Sequence, residues 1–148
     1  MEDMYHYTEC GLKNVWLSNG VVTKQTPYGE TTAIKNVKAL HLAIGRTIAQ
    51  SPEKLKGDQV RFLRTEMDWS QKRLASILAV KELTVGRWER NETKVTGPAR
   101  MALCLLYLSY SENPEITELV DNLAALDRKV SAKELTFKIQ GEEWKEAA

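Results

Sequence analysis

Residues 70–91, SQKRLASILAVKELTVGRWERN, contain the pattern that decides the fold of this 148-residue chain. Ser70 can cap a first helix, because its hydroxyl can accept from a free amide of the first turn. Leu74, Ile77 and Leu78 recur at helical spacing on the inner face of that helix, and the small Ala75 lies where the two helices would cross. After a tight turn, a second helix over residues 82–90 has Val85 and Trp88 on its inner face. Two short helices joined in this way can carry a helix into the DNA major groove.

These residues resemble the helix-turn-helix of the lambdoid phage repressors and of the wider XRE family. The family pattern has Gln opening the first helix, Leu-Ala following it and Trp-Glu closing the second helix, matched here by Gln71, Leu74, Ala75, Trp88 and Glu89. In that family an Arg on the preceding helix pairs with the closing Glu. The resemblance therefore implies a supporting framework made by Arg64, Ala75, Trp88 and Glu89.

Two positions depart from the family pattern, because Ala79 and Asn91 stand where glycine is usual. A positive φ at Ala79 would cost on the order of 1 kcal/mol. Asn91 is the next best residue for a left-handed helix cap. Neither change breaks the motif.

The charge of the chain is unevenly distributed. The net charge is +1, but residues 54–100 hold eleven Lys/Arg against six Asp/Glu, whereas residues 101–148 hold five against nine. The positive charge is thus concentrated on the segment that carries the motif, as a phosphate-binding surface requires.

Cysteine content and hydropathy argue against several classes of protein. Cys10 and Cys104 are the only cysteines and lack metal-ligand spacing, so we predict no disulfide framework, no metal site and no cofactor. The N-terminus lacks the pattern of a signal peptide. The most apolar run, residues 101–108, is too short to span a bilayer. We therefore predict a cytoplasmic protein without membrane contact.

The N-terminal segment favours β-structure. Residues 14–18 and 21–25 flank Asn19-Gly20, a strong hairpin signal, and Pro27-Tyr28-Gly29 predicts a second turn before a third strand over residues 31–34. Residues 5–20 resemble the leader that precedes XRE domains in proteins related to MqsA-type antitoxins. In the MqsA type this region binds zinc through paired CxxC motifs, which are missing here. The resemblance implies a β-rich unit without its metal site, and His6 and Cys10 alone supply too few ligands.

Further helices are predicted around the motif. Residues 36–50 form a helix whose buried face is Leu40, Ala43, Ile44, Thr47 and Ile48. Ser51-Pro52 ends it, and a supporting helix follows from about residue 55 to Met67. Thr96-Gly97-Pro98 starts a helix that is apolar nearly all round through Tyr110, so we expect it to be largely buried. A helix over residues 115–129 carries an apolar stripe: Ile116, Leu119, Val120, Leu123 and Leu126.

The fold predicted as a whole is mainly α with a small N-terminal β unit (α+β). A five-helix XRE-type domain is joined by a β-hairpin or meander leader and a C-terminal helix. The parts are a β-rich unit with its helix at residues 1–50, the helix-turn-helix domain with the C-terminal helix at 51–130, and a tail at 131–148. The stripe either closes the core or pairs with a second copy. Residues 135–139 alternate like a strand that could join the N-terminal hairpin or a partner's sheet, whereas Trp144 has no evident place.

The first functional hypothesis is a sequence-specific DNA-binding repressor that acts as a homodimer on double-stranded DNA. Base edges would be contacted by Lys81, Glu82, Leu83, Thr84 and Arg87. The DNA backbone would be contacted by Gln71, Arg73, Arg90, Asn91 and Lys94. Arg87 can fork onto guanine, Glu82 can accept from cytosine, and Thr84 can meet a thymine methyl or a phosphate.

The second hypothesis is a protein-binding antitoxin or adaptor, with the helix pair as scaffold and a toxin as partner. An antitoxin can do both. The third hypothesis, an enzyme, has little support, because the chain offers neither paired acids nor a phosphate loop.

Overall fold

The computed structural model describes residues 4–126 and 134–147, with the side chains of residues 124–126 left out. Within those ranges the chain is a mixed α and β structure, which confirms the broad α+β class. The strands are β1 (Tyr5–His6), β2 (Trp16–Leu17), β3 (Val21–Thr26), β4 (Gly29–Ile34), β5 (Phe137–Gln140) and β6 (Glu143–Glu146). The helices are α1 (Val37–Ala49), α2 (Gly57–Glu66), α3 (Gln71–Ile77), α4 (Glu82–Glu89), α5 (Gly97–Glu112) and α6 (Ile116–Leu126), with a 3₁₀ turn at Pro52–Lys54. The predicted boundary at residues 130–131 lies outside the described residues.

The N-terminal strands pair in part as predicted. β3 pairs with β4 in an antiparallel hairpin, and β2 pairs with β1, so the hairpin predicted at Asn19-Gly20 is wrong. The predicted second turn and third strand are confirmed, because Pro27 fixes its own φ in the two-residue turn and Gly29 adopts a φ of +116° that lets β4 return. No described strand pairs with the other edge of β3, and β2 has the earlier β1 as its partner.

The C-terminal tail forms a hairpin of its own. β5 pairs with β6, with Ile139 opposite Trp144. Gly141 has a φ of +65° in the two-residue turn, the conformation that tight hairpins favour. The predicted strand exists, but it pairs with β6 rather than with the N-terminal hairpin, and β6 was not predicted.

Helix α1 begins and ends as predicted but buries a different face. Asn36 caps it by accepting from the Ala39 amide at 3.3 Å. The fully buried positions are Gly45 and Ala49. A Cβ on Gly45 would lie 2.1 Å from the Tyr107 ring, so the glycine lets α5 pack closely on α1.

The predicted face of α1 is therefore corrected. Ala43 and Thr47 are exposed, whereas Leu40, Ile44 and Ile48 are only half-buried. The physical reason is that α1 packs on α5 by placing the small Gly45 under the Tyr107 ring. Hydrophobic periodicity does not predict such a contact, because glycine is not counted as apolar.

The core lies between α1, α2, α3, α4 and α5. Its most buried members are Leu12, Val60, Leu63, Leu74, Val85, Leu103, Cys104 and Tyr107, all at 1% exposure or less. Burial raises the pKa of the Cys104 thiol to about 11. The expectation that α5 is largely buried holds only for one face, since Met101 and Leu105 on the other are 50% and 56% exposed. No helix of the described ranges is long and apolar enough to cross a membrane.

The predicted apolar stripe on helix α6 is divided: some of its side chains pack on the protein and others are exposed to solvent. Ile116 and Val120 are half-buried, and Val120 packs against the core. Leu119 and Leu123 are 52% and 56% exposed. The Leu126 side chain lies outside the described residues. The inner half of the stripe therefore belongs to the fold, and the outer half is open.

A chain of hydrogen bonds fastens the N-terminal unit to the helices. His41 Nδ1 lies 3.1 Å from Glu66 Oε2, and His41 Nε2 lies 2.8 Å from Tyr7 Oη. Because a carboxylate only accepts, Nδ1 donates to Glu66, and a neutral His41 then accepts the Tyr7 hydroxyl. The Tyr107 hydroxyl donates to the His41 carbonyl at 3.4 Å. Side chains from three other segments thus meet at His41, those of Tyr7 and Glu66 at its imidazole and that of Tyr107 at its backbone carbonyl.

Candidate nucleic-acid interface

The turn between α3 and α4 is set by local backbone chemistry. Ser70 caps α3 by accepting from the Arg73 amide at 3.0 Å, as predicted. Ala79 adopts a φ of +57°, the conformation that its usual glycine counterpart would supply without strain. The Val80 amide then donates to the Ala75 carbonyl at 2.9 Å. The turn therefore holds its geometry even with a Cβ at Ala79.

A half-buried ion pair fixes α4 on α2. Arg64 donates from Nε and Nη2 to the two carboxylate oxygens of Glu89, at 2.8 and 2.9 Å. Its third nitrogen donates to the Trp69 carbonyl at 2.8 Å. The Arg64 and Glu89 side chains are 12% and 5% exposed. A bidentate pair of this kind sets both the position and the rotation of α4.

The end of α4 lies against the start of α2. Asn91 has a φ of +58°, which confirms the left-handed cap, and its Oδ1 accepts from the Gly57 amide at 3.0 Å. A Cβ on Gly57 would lie 2.3 Å from the Trp88 carbonyl oxygen. The contact needs glycine, and it places the loop after α4 beside the first turn of α2.

The outer face of α4 is open to solvent. Its exposed members are Lys81, Glu82, Leu83 and Arg87, with Thr84 half-buried at the edge. Leu83 is 58% exposed, so it does not serve as core packing. The opposite face is buried through Val85 and Trp88, at 0% and 2%. Within the described residues the Arg87 guanidinium makes no hydrogen bond or ion pair.

The predicted backbone-contacting side chains are mostly engaged within the protein. Gln71 Nε2 donates to Glu89 at 3.2 Å, and Arg73 lies 3.2 Å from Asp121. Arg90 donates to both Glu92 oxygens, at 3.1 and 3.2 Å, which raises the pKa of Arg90 and lowers that of Glu92. Asn91 uses its carbonyl on Gly57, as described above. Of the five, Lys94 alone has a side chain without a hydrogen bond or ion pair to any described residue.

One cation on this surface was not predicted. Lys72 lines a concavity of about 610 Å³ between the first turn of α3 and the start of α4, together with Ser70, Arg73 and Glu82. Its position next to Arg73 in the first turn of α3 is the signal that could have identified it.

The described residues contain no group of three or more His, Cys, Asp or Glu side chains placed to hold a metal ion. Comparison of the chain with protein-family models, with curated proteins and with solved structures found no match.

Proposed function

We propose that this chain is a sequence-specific DNA-binding regulator of the XRE helix-turn-helix type, with α4 as the recognition helix. The observation that carries the proposal is the division of α4 into two faces. Val85 and Trp88 anchor the inner face, and the Arg64–Glu89 pair fixes its rotation. The outer face offers exposed donors and acceptors that suit base edges.

Each outer side chain has a partner chemistry in the major groove. Arg87 can donate both arms of its guanidinium to guanine O6 and N7. Glu82 can accept from the cytosine amino group, and Leu83 or the Thr84 methyl can contact thymine. The exposed Lys81 carries positive charge at the start of the helix. The outer side chains of α4 can therefore contact more than one base pair.

Phosphate contacts would draw on the surrounding side chains. Lys94 is open, and Arg90 would exchange the exposed Glu92 carboxylate for a phosphate, whereas Arg73 would leave Asp121, which is 25% exposed, without its ion-pair partner. Exposed ion pairs contribute little to stability, so the exchange at Arg90 is inexpensive. Asn91 and Gln71 keep amide N–H groups free to donate while their present hydrogen bonds stay in place.

Alanine substitutions at Arg87 and Lys94 should weaken DNA binding in different ways. Arg87→Ala should cost about 1–3 kcal/mol on the preferred site and relax the preference at one base pair of each half-site. Lys94→Ala should weaken binding about equally for every sequence and lower the salt slope by about one per site. Binding to sites selected from a random DNA pool, titrated at several salt concentrations, measures both effects.

A matched control is Lys24→Ala, which removes an exposed lysine from β3, away from α4. It should leave both affinity and salt slope nearly unchanged. Equal losses on specific and random DNA after Arg87→Ala would show that α4 does not contact bases through this face. No effect from either substitution would favour the protein-binding alternative.

We infer that the regulator binds DNA as a homodimer, because one helix contacts only a few base pairs. The exposed residues Leu119 and Leu123 on α6, with Met101 and Leu105 on α5, offer an apolar surface for the second copy. The inner half of α6 already packs on the fold, so the exposed leucines of its outer half are not needed there and can contact the second copy.

Leu119→Glu and Leu123→Glu should each give a folded monomer with weak operator binding. Both side chains are more than half exposed, so a charge there should disturb association and leave the fold intact. Light scattering and circular dichroism measure the two properties. Asn122→Glu, at an exposed neighbouring position outside the stripe, serves as control and should remain dimeric. Dimers from both leucine variants would place the interface elsewhere.

A second candidate function is a protein-binding antitoxin or adaptor that uses the helix pair as scaffold. It is favoured by the β5–β6 hairpin, where Phe137, Ile139 and Trp144 are all more than half exposed. The two functions can coexist in one chain.

We propose no enzymatic activity. The Tyr7–His41–Glu66 chain has the order of a nucleophile, base and carboxylate. Tyr7, however, is only 5% exposed, and burial raises the pKa of its hydroxyl. A hydroxyl that is both covered and harder to ionise fits a structural role.

A further inference from the structure

An apolar groove runs between α1 and the N-terminal strands. It has a volume of about 420 Å³, and its floor includes Val15, Trp16, Leu40, Ile44 and Ile48. Lys54 is the one charged residue that lines it, and the Lys54 side chain makes no hydrogen bond or ion pair within the described residues. The groove arises because α1 packs on α5 through Gly45 and leaves its larger apolar side chains on the other side. We call this feature the α1 groove.

The C-terminal hairpin carries an apolar face that nothing in the described chain covers. The strand register sets Ile139 opposite Trp144 and Phe137 opposite Glu146, and directly paired residues lie on the same face. Phe137, Ile139 and Trp144 are 53%, 54% and 67% exposed. Glu146 is therefore the one charged residue on this face, because Lys138 pairs with Lys145 on the other. An isolated two-stranded hairpin is marginally stable in water, so this face needs a partner.

We propose that the hairpin of one copy docks its apolar face into the α1 groove of a second copy. The two surfaces match in chemistry: each is apolar, and each carries a single charge without a described partner, Lys54 on the groove and Glu146 on the hairpin. Docking would bring these opposite charges together at the edge of an apolar contact. Trp144 would supply the largest buried surface, since aromatic residues dominate such contacts.

The second copy is the occupant that the structure favours. The hairpin of the same chain leaves its apolar face open, and the groove of the same chain is unfilled by any described residue. A two-fold axis would let each copy give one hairpin and receive the other, so that the contact forms twice. We place this reciprocal contact in the same two-fold dimer as the α6 surface, which it strengthens without replacing, and it does not depend on DNA.

Cross-linking between two singly labelled variants tests the contact directly. In a Cys10→Ser background, full-length Thr47→Cys is mixed with full-length Ile139→Cys and treated with a short bismaleimide. Thr47 lines the groove, and Cys104 is 1% exposed and so protected from the reagent. Only contact between copies can join the two variants. Ala39→Cys, exposed on the same helix but outside the groove lining, replaces Thr47→Cys as the matched control.

The expected yield of cross-linked heterodimer is about tenfold higher with Thr47→Cys than with Ala39→Cys, and adding Trp144→Ala to the hairpin variant should remove most of the difference. Lys54→Glu on the groove chain should lower the yield by about threefold, and Glu146→Lys on the hairpin chain should restore it. Equal yields from the Thr47 and Ala39 variants would overturn the proposal. A Trp144→Ala substitution without effect on the yield would overturn it as well.

Discussion

Replacing Glu89 by alanine is expected to lower the free energy of unfolding by about 3–5 kcal/mol. The substitution leaves the Arg64 guanidinium, on a side chain only 12% exposed, without the two carboxylate oxygens that it contacts at 2.8 and 2.9 Å. The Trp69 carbonyl is the acceptor that remains. An uncompensated charge in such a site is costly because water cannot fully replace the lost partner. Urea denaturation followed by circular dichroism measures the loss.

Two companions make this measurement specific. Glu92→Ala removes the partner of Arg90 from an ion pair whose side chains are both more than half exposed, and it should change stability little. The double variant Arg64→Met with Glu89→Leu should recover most of the loss, because neither charge then remains without a partner. If Glu89→Ala costs less than about 1 kcal/mol, as exposed pairs do, solvent reaches Arg64 more freely than its burial implies.

Trp88→Ala should destabilise the protein by a similar amount, about 3–5 kcal/mol. Trp88 is 2% exposed and belongs to the same core cluster as Val85 and Leu74. Truncation would leave a cavity beneath α4, and at this chain length the melting temperature should fall by about 10 °C or more. Binding to the preferred DNA site should fail because α4 loses its anchor, so the loss should follow the melting curve.

Trp144→Ala is the natural control for that experiment, since Trp144 is 67% exposed on the C-terminal hairpin. Its melting temperature should match that of the unmodified protein when both are measured at a concentration where the protein is monomeric. A Trp88→Ala protein that melts normally but no longer binds DNA would mean that Trp88 acts at the interface and not in the core.

The segment from Ser70 to Asn91 could be predicted well because its determinants are local. A serine cap and an apolar stripe each act within a few residues of themselves, so the Ser70 cap was accessible from sequence. The positive φ values at Ala79 and Asn91 were expected from the glycines that the XRE pattern has at those positions. The Arg64–Glu89 pair is more distant in sequence, and the XRE resemblance was needed to expect it. The roles of the surface residues in DNA binding stay predictions.

The errors concern choices between competing partners. Asn19-Gly20 is a sound turn signal, but β2 pairs with β1, so of the two predicted hairpins only the one at Pro27-Tyr28 forms. β6 was not predicted because its glutamates and lysine have low strand propensity. Its strand conformation is stabilised by pairing with β5.

Contacts between distant polar side chains were also beyond sequence inspection. Nothing local indicates that Asp121 would meet Arg73, or that the amide of Asn91 would reach Gly57. The exposure of apolar side chains on α5 and α6 could not be predicted either. An apolar stripe in a sequence shows which residues avoid water, but it does not show which element packs against them.

The close approach of Gly45 to Tyr107 has a consequence for how the chain is made. Tyr107 leaves the ribosome about 60 residues after Gly45, which at about 5–20 residues per second is a delay of about 3–12 s. During that interval α1 lacks the aromatic ring that covers Gly45, and the His41 carbonyl lacks the Tyr107 hydroxyl that donates to it. The N-terminal unit therefore completes its packing only when α5 arrives, and the whole core closes late in synthesis.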